Sequence, residues 1–157
     1  MMSTKGRTKF APKAIQGLRE DQMTQFRRVT DSFEVSPQIT PEEARAAAAG
    51  GVALIINNRP DGEAPDQPAG AEIEAAARAG GADYLYLPVV GRPTPAQARA
   101  QAEAVAAAKG PVLAFCRSGT RSITTWALGE AAAGRDRAEL ARLAATAGYD
   151  LTAALQG

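Results

Sequence analysis

The sequence predicts an α/β domain in which a small, mainly parallel sheet is flanked by helices. Short apolar runs alternate with longer segments that carry helix start and stop signals. The runs at residues 52–57 and 111–115 are almost continuously apolar, as expected for strands covered on both faces. Because parallel strands need long crossover connections, this alternation favours parallel pairing. The 157 residues are enough for one such domain.

The first half of the chain contains two predicted strands and one well-marked helix. Residues 32–36 alternate weakly between apolar and polar and are expected to form a short edge strand. A helix begins after Thr40, which is followed by proline and then by Glu43 at the capping-box position, and it ends at a Gly-Gly pair. The second strand, 52–57, leads into a loop rich in turn-forming residues over 57–69.

The second half repeats this alternation. The predicted strands are 84–87 and 111–115, and the predicted helices are 71–79, 95–109, 121–133, 136–147 and 150–155. Reactive groups of parallel sheets lie at the carboxyl ends of the strands. We therefore expect three loops to meet there, namely 57–69, 88–93 and 116–121.

The chain's one cysteine follows the last predicted strand, where the chain turns into a helix. The stretch reads Cys116-Arg117-Ser118-Gly119-Thr120-Arg121-Ser122. Unpaired N–H groups at a helix N-terminus stabilise a thiolate over a thiol, and they can also bind a tetrahedral oxyanion. Gly119 permits a positive φ, and Arg121 can bind an oxyanion with two hydrogen bonds. The stretch therefore predicts a nucleophile within an anion-binding loop.

Composition limits how Cys116 can be activated. With one cysteine and no histidine, the chain cannot form a Cys–His dyad, an intrachain disulfide or a Cys-only metal site. We predict neither a metal nor a cofactor, and we expect activation by the backbone, the helix dipole or an arginine. A single reduced cysteine favours a cytoplasmic location.

Charge is distributed unevenly. Residues 1–28 contain seven Lys or Arg and two Asp or Glu, whereas residues 29–157 contain eleven and fifteen. We interpret 1–28 as a basic arm, partly disordered or with an added helix over 18–28, and 29–157 as the catalytic domain. The overall charge of +1 gives no reason to expect nucleic acid as a partner. No run approaches the roughly 20 apolar residues that span a membrane.

The Cys116 stretch resembles the loops of two thiol-dependent superfamilies. Cysteine-dependent protein phosphatases carry a Cys, five residues, an Arg and then Ser or Thr. Rhodanese-type sulfurtransferases often have four residues between Cys and Arg, as this chain has between Cys116 and Arg121. Phe115 also stands where phosphatases usually have a histidine. The loop length therefore favours the sulfurtransferases.

A wider resemblance covers about residues 30–150. It rests on segments 36–40, 57–63, 66–68, 87–89 and 116–122. In these segments the chain resembles the phosphatase-like domain family of beta-lactamase hydrolase-like proteins. That family is bacterial, and its members are described variously as phosphatase-like and as sulfurtransferases. The resemblance implies a fold like that of tyrosine and dual-specificity phosphatases.

The resemblance also implies roles for the loop residues. Cys116 would be the nucleophile and Arg121 the residue that binds the oxyanion. Ser122 matches the residue that eases loss of the thiolate in phosphatases. The remaining anion contacts would come from the backbone amides of Arg117, Ser118, Gly119, Thr120 and Arg121.

A phosphatase also needs an acid that protonates the leaving alkoxide. Loop 88–93 contains no Asp or Glu, so Asp61 is the first candidate, ahead of Glu63 and Asp66. The sequence around Asp61 is equally typical of a type I turn, in which it would have no catalytic role. Arg59 either adds positive charge to the rim of the site or is a solvated surface residue.

Sulfur transfer is the first functional prediction. A thiol that takes the outer sulfur of thiosulfate or a persulfide, and passes it from a Cys persulfide to a thiol acceptor protein, needs neither histidine nor acid. Hydrolysis of phosphate monoesters through a phosphocysteine is the alternative, and a non-catalytic anion-binding or redox-sensing module is the third. The expected partners are thus a small oxyanion, a persulfide or a phosphorylated substrate, and the oligomeric state is left open.

Overall fold

The computed structural model describes residues 25–156. Its strands are β1 (Arg27–Thr30), β2 (Phe33–Ser36), β3 (Leu54–Asn57), β4 (Asp83–Tyr86) and β5 (Val112–Phe115). Its helices are α1 (Pro41–Ala49), α2 (Gly70–Gly80), α3 (Pro95–Ala107), α4 (Thr120–Ala132), α5 (Arg137–Thr146) and α6 (Thr152–Gln156). The predicted elements are confirmed, with similar bounds.

The five strands form one sheet in the order β1-β2-β5-β3-β4. Strands β2, β5, β3 and β4 are parallel, and β1 pairs antiparallel with β2. The mainly parallel sheet is thereby confirmed. The placement of β2 at a sheet edge was wrong, because β1 covers its outer side.

Strand β1 differs from the sequence interpretation of the basic arm. Arg27 and Arg28 lie in the strand, opposite Val35 and Glu34 of β2, so at these two positions the chain is neither an arm nor a helix. Charged side chains are common on edge strands, where they discourage pairing with other chains. Because these two residues are arginines, composition alone assigns them to the basic arm and not to a strand. The rest of the predicted arm, residues 1–24, lies outside the described residues.

Apolar side chains fill both faces of the sheet. On one face the sheet packs against α4, α5 and α6, and Phe33 stacks on Trp126 with ring centroids 5.5 Å apart. On the other face Ile55, Leu113 and Phe115 pack against α1 and α2. Strand β5, fully buried at the centre of the sheet, delivers the cysteine loop to its carboxyl edge. Within residues 25–156, no helix has the length and apolar character that a membrane crossing requires.

Candidate active site

The cysteine loop joins β5 to α4, as predicted. Cys116 is buried, and its backbone N–H donates to the Ser36 carbonyl at the end of β2. Gly119, with a φ of 94°, is the N-cap of α4, and its N–H donates to the Cys116 sulfur over 3.1 Å. Only glycine adopts such a φ without strain. The amino end of α4 thus faces the sulfur, which is the arrangement that stabilises a thiolate.

Arg121 lies in the first turn of α4, and its guanidinium connects all three predicted loops. Nη1 donates to Glu63 Oε2 at 2.8 Å and to the Val89 carbonyl at 2.8 Å, and Nη2 donates to Glu63 Oε1 at 2.9 Å. The convergence of the loops after β3, β4 and β5 is confirmed by these bonds. They use three of the five N–H donors of an arginine. The Nε–H and one hydrogen on Nη2 remain, and they form the side-on edge of the guanidinium.

The electrostatics of Arg121 reflect two neighbours, Glu63 and Cys116. Its hydrogen bonds to Glu63 raise the pKa of the guanidinium most, burial opposes this, and the nearby Cys116 raises it further. Cys116 is therefore within interaction distance of the arginine. A side-on edge beside the sulfur can bind two oxygens of a tetrahedral anion.

Glu63, which the sequence offered only as a weak candidate for the acid, contacts both arginines of the site. Its carboxylate accepts hydrogen bonds from Arg121 and also from Arg59, whose Nε lies 2.9 Å from Oε1. These bonds, that of Arg121 first, lower the pKa of Glu63 to about 2. Glu63 is therefore ionised at neutral pH and cannot protonate a leaving group. Glu63 is therefore not the acid. Its hydrogen bonds orient Arg121 instead.

Arg59 is buried, so the interpretation of a solvated surface arginine is wrong. Besides Glu63, its Nη1 contacts Gln38 Oε1 at 3.0 Å, and its backbone N–H donates to Asn57 Oδ1 at 2.9 Å. With Glu63 ionised, Arg59, Arg121 and Glu63 together carry two positive charges and one negative charge.

Asp61 occupies a structural position. Its Oδ1 accepts from the Gly70 N–H at 2.8 Å, at the start of α2, and its own N–H donates to the Tyr86 hydroxyl. A carboxylate there satisfies an unpaired helix N–H and interacts favourably with the helix dipole. None of its recorded contacts reaches Cys116. Its role as general acid stays a prediction, as does that of Asp66, which is exposed in the same loop.

A buried polar cluster lies behind the loop. Gln101 of α3 donates from Nε2 to the Ser122 carbonyl at 3.2 Å, and its Oε1 accepts from Asn58 Nδ2 at 2.9 Å. All three residues are buried, and among the described residues the Ser122 hydroxyl has no hydrogen-bond partner. That hydroxyl is available to donate to a thiolate. The sequence analysis predicted only a helix over 95–109 and did not identify Gln101.

Residues 25–156 contain no set of side chains suited to bind a metal ion. There, no three or more His, Cys, Asp or Glu side chains are grouped so that they could hold a metal ion. The predicted chemistry rests instead on the Cys116 sulfur, the backbone N–H groups and Arg121.

The five-stranded sheet with a cysteine loop before α4 is the architecture of tyrosine and dual-specificity phosphatases. Residues 25–133 match the family model of the beta-lactamase hydrolase-like protein, phosphatase-like domain. The chain belongs to this family of phosphatase-like domains. The resemblance deduced from the sequence is therefore confirmed.

Individual relatives agree with this assignment. A Beta-lactamase hydrolase-like protein of Agrobacterium fabrum (strain C58) is 40% identical over 129 residues, which are 81% of this chain and 30% of that protein. The chain thus spans less than a third of its length. A crystal structure of a candidate phosphatase from Neisseria meningitidis Z2491 has a TM-score of 0.73 and 32% identity, covering 83% of this chain and 93% of that one.

A more distant likeness concerns the fold alone. The structure of P. aeruginosa TpbA in complex with pTyr has a TM-score of 0.60 and 18% identity, covering 88% of this chain and 85% of that chain. The names of these neighbours support a phosphatase-like domain and give no support to sulfur transfer. The Cys-to-Arg spacing was thus a weak discriminator. With four intervening residues, Arg121 still lies within interaction distance of Cys116.

Proposed function

We propose that the protein hydrolyses phosphate monoesters through a phosphocysteine formed on Cys116. The observation that carries the proposal is the orientation of Arg121. Its end-on edge is occupied by Glu63 and its remaining Nη1 donor by Val89, so its side-on edge remains for an oxyanion, and Cys116 lies within interaction distance of the guanidinium. Membership of a phosphatase-like family supports the same chemistry.

In the first step, the Cys116 thiolate attacks phosphorus. An S–P bond forms, the bond from phosphorus to the leaving oxygen breaks, and that oxygen takes up a proton from solvent or from an acidic side chain. The loop N–H groups and Arg121 hold the phosphoryl oxygens, where negative charge increases in the transition state. Because the helix N-terminus and the arginine are already oriented, little reorganisation accompanies the reaction.

In the second step, water attacks phosphorus. A P–O bond forms, the S–P bond breaks, phosphate is released, and the proton from water passes to phosphate or to solvent. The Ser122 hydroxyl donates to the departing sulfur and so stabilises it as a thiolate. This use accounts for a buried hydroxyl that has no partner among the described residues.

An aryl phosphate is the probe of choice. Aryloxide leaving groups need less protonation than alkoxides, so the assay does not depend on which residue is the acid. The binding of pTyr by the structurally similar TpbA makes phosphotyrosine a reasonable second probe.

The experiment compares two assays on the wild-type protein, Cys116→Ser and Arg121→Lys. We expect release of nitrophenolate from 4-nitrophenyl phosphate, its loss in Cys116→Ser, and a large decrease in Arg121→Lys, since lysine keeps the charge but not the two-donor edge. Thiosulfate with cyanide is the parallel assay. Formation of thiocyanate without release of nitrophenolate would overturn the proposal in favour of sulfur transfer. Inactivity in both assays would favour an anion-binding module.

A further inference from the structure

Tyr149 contacts the cysteine loop from the turn between α5 and α6. Its hydroxyl donates to the Ser118 carbonyl oxygen at 2.9 Å. The N–H of the same peptide unit belongs to Gly119 and donates to the Cys116 sulfur at 3.1 Å. In a planar trans peptide the C=O and the N–H point in opposite directions. A hydroxyl that holds the carbonyl on the outside therefore holds the N–H toward the sulfur.

Gly119 makes this contact both possible and necessary. A Cβ at this position would overlap the Tyr149 hydroxyl, so the tyrosine approaches only because the residue is glycine. Glycine is also the residue whose flanking peptides reorient most easily. If the Ser118–Gly119 peptide turned over, a carbonyl oxygen would replace the N–H beside the thiolate. The hydrogen bond from Tyr149 opposes that rotation.

The backbone of Tyr149 is itself well fixed. Gly148 follows Ala147, the C-cap of α5, with a φ of 98°; its N–H donates to the Ala145 carbonyl, and the Tyr149 N–H donates to the Ala144 carbonyl. This pair of bonds is the Schellman ending of a helix. The Arg27 guanidinium of β1 packs against Gly148, where a Cβ would lie 3.1 Å from Nη1. The ring is thus directed at the loop by a helix end that contacts the sheet.

The hydroxyl keeps its proton at neutral pH. Burial raises the pKa of Tyr149 and the nearby Cys116 raises it further, whereas Arg27 lowers it. Tyr149 can therefore serve as a donor over the pH range in which a cysteine thiol ionises. Its hydroxyl bonds the Ser118 carbonyl and not the sulfur, so this hydrogen bond acts on the sulfur through the Ser118–Gly119 peptide.

We propose that Tyr149 is a positioning residue, whose hydroxyl keeps the Ser118–Gly119 peptide in the orientation that stabilises the Cys116 thiolate. This deepens the proposed function, since it concerns the same nucleophile. It requires only a reactive thiol, whichever group that thiol transfers.

The test is Tyr149→Phe, which removes one oxygen atom. Because Cys116 is the only cysteine, its alkylation by iodoacetamide can be followed against pH by intact mass. We expect the midpoint of the profile to move to higher pH, and alkylation below the midpoint to slow by about three- to tenfold, as for the loss of one hydrogen bond. If the variant only made the sulfur more accessible, alkylation would become faster by the same factor at every pH and the midpoint would not move. Tyr84→Phe is the control, because its hydroxyl bonds Asn57 on β3.

An unchanged midpoint in Tyr149→Phe would overturn the proposal. Gly148→Ala is the second variant, since it strains the turn that directs Tyr149 while keeping the hydroxyl, and it should move the midpoint in the same direction. If the midpoint moves while 4-nitrophenyl phosphate is not hydrolysed even by the wild type, the phosphatase proposal fails and the role of Tyr149 stands.

Discussion

Glu63 and Arg121, 58 positions apart in the chain, form a bidentate ion pair with N–O distances of 2.8 and 2.9 Å. The pair joins the loop after β3 to the first turn of α4. It uses the end-on edge of the guanidinium and leaves the side-on edge beside Cys116. Ion pairs with this fork geometry add orientation as well as energy. Glu63 therefore acts on the site by fixing the direction of Arg121.

Glu63→Gln should lower kcat/KM for 4-nitrophenyl phosphate by about ten- to a hundredfold, because a misdirected arginine loses transition-state contacts. Glutamine keeps the shape of the side chain, but it accepts through only one oxygen and has no charge. Glu74→Gln is the matched control, since Glu74 pairs with Arg78 on the exposed face of α2. Equal kinetics of Glu63→Gln and the wild type would refute the orienting role.

The same ion pair is expected to persist through mild acid. Two arginines hold the pKa of Glu63 at about 2, below its ordinary value of 4.5, so the stability that it contributes is present above about 4.5 and is lost only as the pH falls through about 2. The difference in free energy of unfolding between the wild type and Glu63→Gln should therefore be constant between pH 5 and 8. An added ionisation in that window would contradict the assigned pKa.

Asp61→Asn should retain turnover of an alkyl phosphate monoester, whose leaving alkoxide needs protonation, and the shape of its pH profile. Asparagine keeps the oxygen that accepts from the Gly70 N–H, and Asn and Asp are about equally good at helix starts. Asp61→Ala, which removes that oxygen, should lower the free energy of unfolding by about 1 kcal/mol, as measured with urea. If Asp61→Asn lost the basic limb of the pH profile, Asp61 would be the general acid.

Gln101→Met should destabilise the protein by about 1–3 kcal/mol, because the Asn58 side chain would lose a buried acceptor and the Ser122 carbonyl a donor. Methionine has a similar volume, so the effect of a cavity is small. Arg99→Met, on the exposed side of the same helix, is the control for a change of polarity. Similar urea midpoints for the two variants would show that the amide contributes little.

Glu34 should make the stability depend on pH. Its burial in β2 raises its pKa from 4.5 to about 7, with Arg28 opposing. The native state then keeps a proton that the unfolded chain releases, so the contribution of Glu34 is complete below about 4.5 and is lost as the pH rises through 7. Over this window the free energy of unfolding should fall by up to about 3 kcal/mol more in the wild type than in Glu34→Gln. Parallel pH profiles of the two proteins would contradict this.

Local patterns were enough to predict most of the fold. The Thr40 cap and the buried runs of β3 and β5 each depend on neighbouring residues, and the structure reproduces them. Strand β1 depends on pairing with β2, and its two arginines look like part of a basic segment. Strand β1 therefore forms because of its tertiary contacts, and local sequence alone does not predict it.

The candidate site also combines features that local sequence predicts with features that depend on distant contacts. The Cys116 loop could be located because a strand, a glycine and a helix start follow one another in the sequence. The partners that orient it come from distant segments: Glu63 contacts Arg121 across 58 positions and Tyr149 contacts Ser118 across 31. The alanine-rich sequence around Gln101 gave no sign that this residue forms buried hydrogen bonds. Loop length alone favoured sulfur transfer, whereas the family and the fold favour the phosphatase alternative.

The most direct test of the account is the mass of the group that becomes attached to Cys116. The wild-type protein is mixed with 4-nitrophenyl phosphate, quenched in acid within the first turnover, and digested for mass spectrometry. We expect the peptide that contains Cys116 to gain the mass of one phosphoryl group, together with a burst of nitrophenolate, and Cys116→Ser to show neither. Turnover without phosphorylation of that peptide would contradict the account, as would a Cys116 that takes up a sulfur atom from thiosulfate but no phosphoryl group.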